Sequence, residues 1–228
     1  MTRLLLLVLA ATLFSAPAVA APYGNYDIKR IMIVRDTPSG KSYGLDAKYL
    51  DEMIGDLSDH AENYPPKFDS PEDRKRAEAD AKQLAGFLDA ITSGSDPNQN
   101  PQLLIRAALV NSMGHILDIK GSAERAEVLF RRTVALVPAN PHVNFHYGVF
   151  LAGTGRAKDG IPFLEKALSG GYDKAAFSLG MAYLTQGENE KALQYLEAYR
   201  KKFPNDPNTA KLIEAIRSGN VTVKRNDG

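Results

Sequence analysis

Residues 175–204 read AAFSLGMAYLTQGENEKALQYLEAYRKKFP, and their small and apolar residues recur at matching positions twice earlier in the chain. Four rows of such residues repeat at intervals of 34 and then 32 positions. A fixed period in the low thirties indicates an array of helical repeats, in which each unit buries its apolar face against its neighbours. The rows are Gly114, Gly148 and Gly180; Gly121, Gly155 and Gly187; Ala126, Gly160 and Ala192; and Phe130, Leu164 and Leu196.

The register predicts three helix pairs and one last helix. Gly121, Gly155 and Gly187 suit the turn inside each pair, because glycine adopts positive φ at little cost. Pro138 and Pro204 end the first and third units, since proline cannot continue a helix, and Tyr172 takes the corresponding place in the second. The last helix is expected to cover the apolar edge of the third unit. The predicted helices are 102–119 and 123–137, 141–153 and 157–169, 173–186 and 189–202, and 206–218.

The second unit carries two residues that disfavour its second helix. Pro162 predicts that this helix begins near Asp159 or has a loosened first turn. Gly160 stands where the other units have alanine, which costs a helix about 0.5–1 kcal/mol. We therefore expect the second unit to be the least stable of the three.

Residues 21–100 precede the repeats and do not share their spacing. Residues 31–34, Ile-Met-Ile-Val, predict an extended segment that packs along the chain's own helices or pairs with a partner's strand. Two amphipathic helices are predicted before the loop at 93–101, and they are either a degenerate fourth unit or a separate helical cap. The first has the stripe Leu50, Met53, Ile54, Leu57 and Ala61; the second starts at the N-cap Ser70 and buries Ala77, Ala81, Leu84, Leu88 and Ile91.

The first twenty residues predict an export signal. Arg3 supplies a positive charge, residues 4–14 form a short apolar run, and residues 18–20, Ala-Val-Ala, have the cleavage pattern of small residues. The run is about half of the roughly 20 residues that cross a bilayer, which favours cleavage after Ala20 over a membrane anchor. The mature chain is expected to be periplasmic or secreted, with no membrane span and with a loose polar tail at 219–228.

The composition excludes several classes of function. The chain has no cysteine, which removes disulfides, thiolate metal sites and cysteine nucleophiles together. The chain has 28 basic and 27 acidic residues. Arg3 is one of the basic residues and is lost with the export signal, so the mature chain is formally neutral. No basic stripe stands out, and we expect no nucleic-acid partner.

The register resembles the tetratricopeptide repeat family. The third unit carries the family's residues at their expected places, and the second unit and the looser first unit keep the same register. The resemblance covers residues 101–218, in units 101–140, 141–172 and 173–205 with a cap at 206–218. It implies an all-α fold, a right-handed α-α solenoid of three helix pairs with an N-terminal helical extension and a C-terminal capping helix. The matching residues of the third unit are Leu179, Gly180, Tyr183, Gly187, Ala192, Leu196 and Pro204.

The resemblance also implies where a partner binds. In this family the first helix of each pair lines the concave face, which here is markedly apolar and suits a protein or peptide segment with apolar anchors. The alternative is that the chain's own N-terminal segment or C-terminal helix fills the groove. The implied residues are Asn111, His115 and Asp118 from the first unit; His142, Phe145 and Val149 from the second; and Lys174, Phe177, Met181 and Leu184 from the third.

Signals for catalysis and cofactors are weak. His142 and His146 are four residues apart on one helix, a spacing that can hold a metal, and His115 could approach them, but no further ligand follows by spacing. Residues 39–42, SGKS, imitate only the end of a phosphate-binding loop. We therefore predict an exported, non-catalytic adaptor or assembly factor without a cofactor. The alternatives are a protein that binds a metal or small ligand through the two histidines, and a self-associating structural protein.

Overall fold

The computed structural model describes residues 21–94 and 99–221, so the predicted export signal and most of the polar tail lie outside the described residues. The chain divides into two compact units, one that reaches to Arg132 and one that begins at Thr133. The described elements are a 3-10 helix at Ile28–Ile31, strands β1 (Met32–Thr37) and β2 (Gly40–Leu45), and helices α1 (Ala47–Ala61), α2 (Pro71–Thr92), α3 (Pro101–Ile116), α4 (Ser122–Leu136), α5 (Pro141–Gly153), α6 (Ala157–Ser169), α7 (Ala175–Thr185), α8 (Asn189–Lys202) and α9 (Pro207–Arg217).

The extended segment is part of a β-hairpin that the sequence analysis missed. β1 pairs with β2 in antiparallel register, with Val34 opposite Tyr43, and Gly40 has a φ of 121° at the start of β2. Of residues 31–34 only Ile31 is buried, at the end of the 3-10 helix, while Met32 and Val34 are exposed. The predicted packing against the chain's own helices therefore holds for Ile31, whose 3-10 helix contacts α1 and α2.

The two predicted helices of the extension are confirmed as α1 and α2. All five residues of the α1 stripe are buried, and Ser70 caps α2 by accepting a hydrogen bond from the Asp73 amide at 3.1 Å. Ile91 was predicted in the core and is exposed instead. The neighbouring Thr92 is buried in its place, where its hydroxyl donates to the Leu88 carbonyl at 2.7 Å.

Ion pairs join the extension to the helices that follow it. The Arg106 guanidinium on α3 meets the Asp51 carboxylate on α1 through two hydrogen bonds of 2.6 and 2.8 Å. Arg125 on α4 pairs with Asp89 on α2 at 2.6 Å. Bidentate arginine–carboxylate pairs fix orientation as well as distance. α1 and α2 both pack on α3, so the extension is attached to the first predicted repeat.

The unit that begins at Thr133 is built from neighbouring helices. α5 packs on α6, α6 on α7, α7 on α8 and α8 on α9. The turn glycines of all three predicted pairs have the positive φ expected of them: 82° at Gly121, 84° at Gly155 and 77° at Gly187. The predicted all-α fold of paired helices with an N-terminal extension and a last helix is confirmed, with the hairpin as an addition.

The start of α6 decides between the two expectations for Pro162. α6 begins at Ala157, as the predicted range 157–169 has it, and not near Asp159, so Pro162 lies inside the helix. Its first turn is mixed, because the Asp159 and Gly160 amides both donate to the Arg156 carbonyl, at 3.0 and 3.1 Å. Pro162 is exposed, so the hydrogen bond that it cannot make belongs to the solvent side of the helix.

Three helices share one way of starting. α3, α5 and α9 each have an Asx residue at the N-cap and proline directly after it, a combination that satisfies orphan N–H groups and presets φ. Asn140, for example, accepts a hydrogen bond from the Val143 amide at 3.2 Å. None of the helices in the described ranges is both long and apolar enough to cross a membrane.

Candidate partner-binding surface

The three candidate residues of the first repeat lie in different environments. Asn111 is buried on α3, and its side-chain amide donates to the Ala107 carbonyl at 2.9 Å. His115 is half-buried on the last turn of α3. Asp118 lies beyond α3, which ends at Ile116 and not at 119, and it has a φ of 64°. Its carboxylate is 3.6 Å from the Arg74 guanidinium, so this residue belongs to a turn that contacts α2.

α5 carries the candidate residues of the second repeat. His142 is exposed near the start of the helix, and Phe145 and Val149 follow at spacings of three and four residues, which places all three on one side of α5. Phe145 and Val149 are half-buried and pack against an apolar cluster that includes Leu164 and Leu179. Their outer surfaces remain accessible to a partner.

α7 repeats this arrangement in the third unit. Lys174 is exposed at the N-cap, and Phe177 and Met181 are half-buried against the same apolar cluster. Leu184 is only 2% exposed and belongs to the cluster itself, together with Ile213 and Ile216 of α9. Leu184 and the buried Asn111 therefore cannot contact a partner unless the packing changes, because both side chains are already enclosed.

Aromatic side chains extend the candidate surface beyond the residues predicted. The ring of Tyr172, in the loop between α6 and α7, lies 4.5 Å from Phe145 and 4.7 Å from His142, measured between centroids. On α8, Tyr199 lies 5.3 Å from Phe177 and 4.5 Å from Phe203. The sequence pattern marked Tyr172 only as the residue in place of a terminal proline. An aromatic side chain at that position could have indicated that it adds to the apolar surface.

The histidine pair on α5 is part of this aromatic group. The His142 and His146 rings are 6.0 Å apart, and the Phe145 ring lies 5.1 Å from His146. Burial and, to a smaller extent, the nearby His142 lower the pKa of His146 to about 4, so His146 is neutral at physiological pH. In residues 21–94 and 99–221 no three or more His, Cys, Asp or Glu side chains gather where they could hold a metal ion.

Comparison with known proteins supports the family that the repeat pattern resembles. Residues 151–216, which run from the end of α5 through α9, match the family model described as tetratricopeptide repeat. This stretch consists of tetratricopeptide repeats. A thermophilic TPR protein of Thermus thermophilus shares the fold, with a TM-score of 0.50 and 14% identity over 75% of this chain and 92% of that chain. MamA aligns with a TM-score of 0.38 and 17% identity, over 72% of this chain and 93% of that chain. No curated protein sequence matches this chain.

The tetratricopeptide fold indicates a role in protein–protein interaction. In the unit that begins at Thr133, the first helices of two consecutive repeats present half-buried apolar side chains, and polar residues stand at their N-terminal ends. An apolar centre with a polar rim is the usual anatomy of a protein interface.

Proposed function

We propose that this chain is an exported adaptor that binds a protein partner through the first helices of its repeats and catalyses no reaction. The observation that carries the proposal is the placement of Phe145, Val149, Phe177 and Met181 on α5 and α7, half-buried against one apolar cluster. α5 and α7 also contact each other, so the two rows of side chains are neighbours. Such a surface suits an amphipathic helix or an extended segment with apolar anchors.

The surroundings of these anchors suggest the polarity of the partner. Lys174 is exposed at the start of α7, and the exposed Lys202 lies close to it in the fold, 3.3 Å from the Asp173 carboxylate. His146 is neutral and adds no charge to the aromatic group. A partner segment with apolar anchors and an acidic residue beside them would match this side of the surface, and the acidic contact would chiefly affect the association rate.

If a partner binds through this surface, two negative charges placed on it should strongly reduce binding. We expect Phe145→Glu combined with Phe177→Glu to reduce capture of the partner by at least about tenfold, because carboxylates would replace the apolar anchors. The measurement is cross-linking of the full-length chain in the cell-envelope fraction of its native host. Captured proteins are compared between parent and variant, and circular dichroism confirms that the variant retains its helices.

Val128→Glu combined with Leu136→Glu provides a matched control. Both residues are exposed apolar residues on α4, so the control adds the same two charges and removes similar apolar surface elsewhere. The control is expected to capture the partner as the parent does. Equal loss in both variants, or retention in the Phe145/Phe177 variant, would remove these side chains from the binding site. Capture of a second copy of the chain alone would make it a self-associating protein.

Export can be tested without knowing the partner. We expect N-terminal sequencing of the protein recovered from native cells to begin at Ala21, because Ala-Val-Ala at 18–20 precedes it. The protein should be recovered in the periplasmic or secreted fraction. A first residue of Met1 or Thr2 in protein from the cytoplasmic fraction would contradict export while leaving the binding surface untouched.

A further inference from the structure

Residues 21–24, directly after the predicted cleavage point, are fixed on the surfaces of α1 and α2. Tyr23 is 2% exposed, and its ring makes edge contacts with the rings of Tyr26, His60 and Phe68 at centroid distances of 5.7, 5.5 and 6.4 Å. A terminal segment is usually poorly ordered unless specific contacts tie it down. Tyr23 supplies the apolar part of such contacts.

Carboxylates from both helices hold the backbone and the hydroxyl of this segment. Asp56 on α1 accepts from the Gly24 amide at 2.8 Å and from the Tyr26 hydroxyl at 2.8 Å. On α2, Asp73 accepts from the Tyr23 amide at 3.4 Å and Asp80 accepts from the Tyr23 hydroxyl at 3.1 Å. These contacts leave the segment with defined polar partners along its length.

His60 contacts the first residue of this segment, Ala21. Its Nδ1 lies 2.8 Å from the Asp56 carbonyl oxygen on its own helix, and its Nε2 lies 2.7 Å from the Ala21 carbonyl oxygen. A backbone carbonyl can only accept a hydrogen bond, and a neutral imidazole has a single N–H. Both contacts are hydrogen bonds only when both ring nitrogens carry protons, so the geometry favours the imidazolium form.

We propose that His60 is a pH-sensitive latch that holds residues 21–24 on α1 and α2 when it is protonated and releases them when it loses a proton. In the neutral form one ring nitrogen presents a lone pair to a carbonyl oxygen, and the internal bond to Asp56 competes with the external bond to Ala21 for the remaining proton. The i,i+4 bond lies within α1, so the bond to Ala21 is the one expected to break. Release would expose the site on α1 and α2 that Tyr23 fills.

The charged groups around His60 support the protonated form. Burial alone lowers the pKa of His60, but the hydrogen bonds to the Asp56 and Ala21 carbonyls and the negative charges of Asp56 and Asp59 raise it, and the net shift is upward. The Asp56 carboxylate is 3.5 Å from Nδ1. From α2, Asp73 and Asp80 face the segment, with Arg76 bonded to Asp73 and to the Tyr23 carbonyl. The aromatic Phe68 stacks on the imidazole at 5.2 Å.

The sign of the pH dependence follows from this upward shift. A group whose pKa is higher in the folded state stabilises that state below its unfolded pKa, about 6.5 for histidine, and the stabilisation is lost as pH rises through the folded pKa. Burial raises the pKa of Tyr23 and of Tyr26, so both hydroxyls remain donors throughout this window. Burial also raises the pKa of Asp80, so its titration lowers stability with rising pH in the same sense as that of His60, but in a window that begins at the ordinary value for an aspartate.

Hydrogen exchange at the Tyr23 and Gly24 amides tests the latch. The full-length chain is compared at about pH 6 and pH 8.5, with rates corrected for the intrinsic pH dependence of exchange. We expect protection to fall by about threefold or more at the higher pH. His60→Gln should show weak protection that is equal at both values, whereas His142→Gln should behave as the parent because His142 lies outside this segment's contacts. Equal protection of the parent at both values would overturn the proposal, as would an unchanged pH dependence in His60→Gln.

An NMR titration of the parent chain tests the protonation state without a substitution. Histidine ring signals, assigned to His60 by their absence in His60→Gln, are expected to show both N–H protons near pH 6 and to titrate above the ordinary histidine value. A neutral His60 at pH 6 would also overturn the proposal. The full-length chain is the right material, because a free amino group at Ala21 would titrate in the same range.

Discussion

Replacing Ile213 with alanine is expected to lower the free energy of unfolding of the unit that begins at Thr133 by about 2–5 kcal/mol. Ile213 is 1% exposed and, with Ile216, joins α9 to the apolar cluster that contains Leu179 and Leu196. Truncation removes the buried side-chain carbons and leaves a cavity at the end of the array, where no further repeat follows in the described chain. Urea unfolding monitored by the helical circular dichroism signal gives the change.

Ile91→Ala is the matched control for this experiment. It removes the same atoms from a side chain that is 42% exposed on α2, and the expected loss is well under about 1 kcal/mol. Equal losses in the two variants would mean that α9 does not cap the third repeat through Ile213. A small loss in both would show that α9 detaches readily, which would also leave Leu184 accessible.

Replacing Gly160 with alanine is expected to destabilise the same unit by about 1–3 kcal/mol, although alanine is the better helix former. A Cβ atom at position 160 would lie 2.5 Å from the Gly148 carbonyl oxygen on α5, and a Cβ atom at position 148 would lie 3.0 Å from the Gly160 carbonyl oxygen. At position 160 the nearest obstacle is backbone, so the two helices must move apart to admit the methyl group. Unfolding in urea again measures the loss.

Gly153 allows the opposite outcome from the same substitution. It is the exposed last residue of α5, and a Cβ atom there would meet nothing within 4 Å. Gly153→Ala is expected to stabilise the unit by about 0.5–1 kcal/mol through helix propensity and the reduced freedom of the unfolded chain. If Gly160→Ala stabilised the unit to a similar degree, the close approach of α5 and α6 would not be a packing constraint.

These glycines show what the sequence could predict about the fold and what it could not. The repeat register located α5, α6 and α8 to the residue, because small residues, turn glycines and prolines act locally and at fixed spacing. The same reasoning treated Gly160 only as a weak helix former. Glycine is needed at position 160 because Gly148, twelve residues earlier on another helix, lies against it. Local helix propensity cannot predict how closely two helices approach.

Other differences have the same physical origin. The hairpin was missed because β2, with the sequence GKSYGL, contains two glycines and little alternating apolar character, and its partner strand supplies what its propensity lacks. Ile91 and Thr92 exchange the expected roles because one helix position shifts the buried side by about 100° near the end of α2. α3 ends early because Asp118 adopts a left-handed conformation, which aspartate tolerates better than most residues.

The candidate surface could be predicted in outline but not in depth. Family register identified the helices and the side of α5 and α7 that carries Phe145, Val149, Phe177 and Met181. It could not separate half-buried residues from enclosed ones such as Leu184, because enclosure depends on what packs over the end of α7. The aromatic partners Tyr172 and Tyr199 come from a loop and from a second helix, outside the positions that the family pattern specifies.

The shared start of α5 and α9 makes the length of this array adjustable. α9 packs on α8 as α7 packs on α6, and its Asp206–Pro207 start matches the Asn140–Pro141 start of a repeat's first helix. A duplicate of residues 173–205 inserted between α8 and α9 would therefore pack against α9 on its C-terminal side, as the original does now, and against α8 of the original unit on its N-terminal side. The chain provides an insertion point at which a protein engineer could add recognition surface one repeat at a time, with the terminal helix carried outward unchanged.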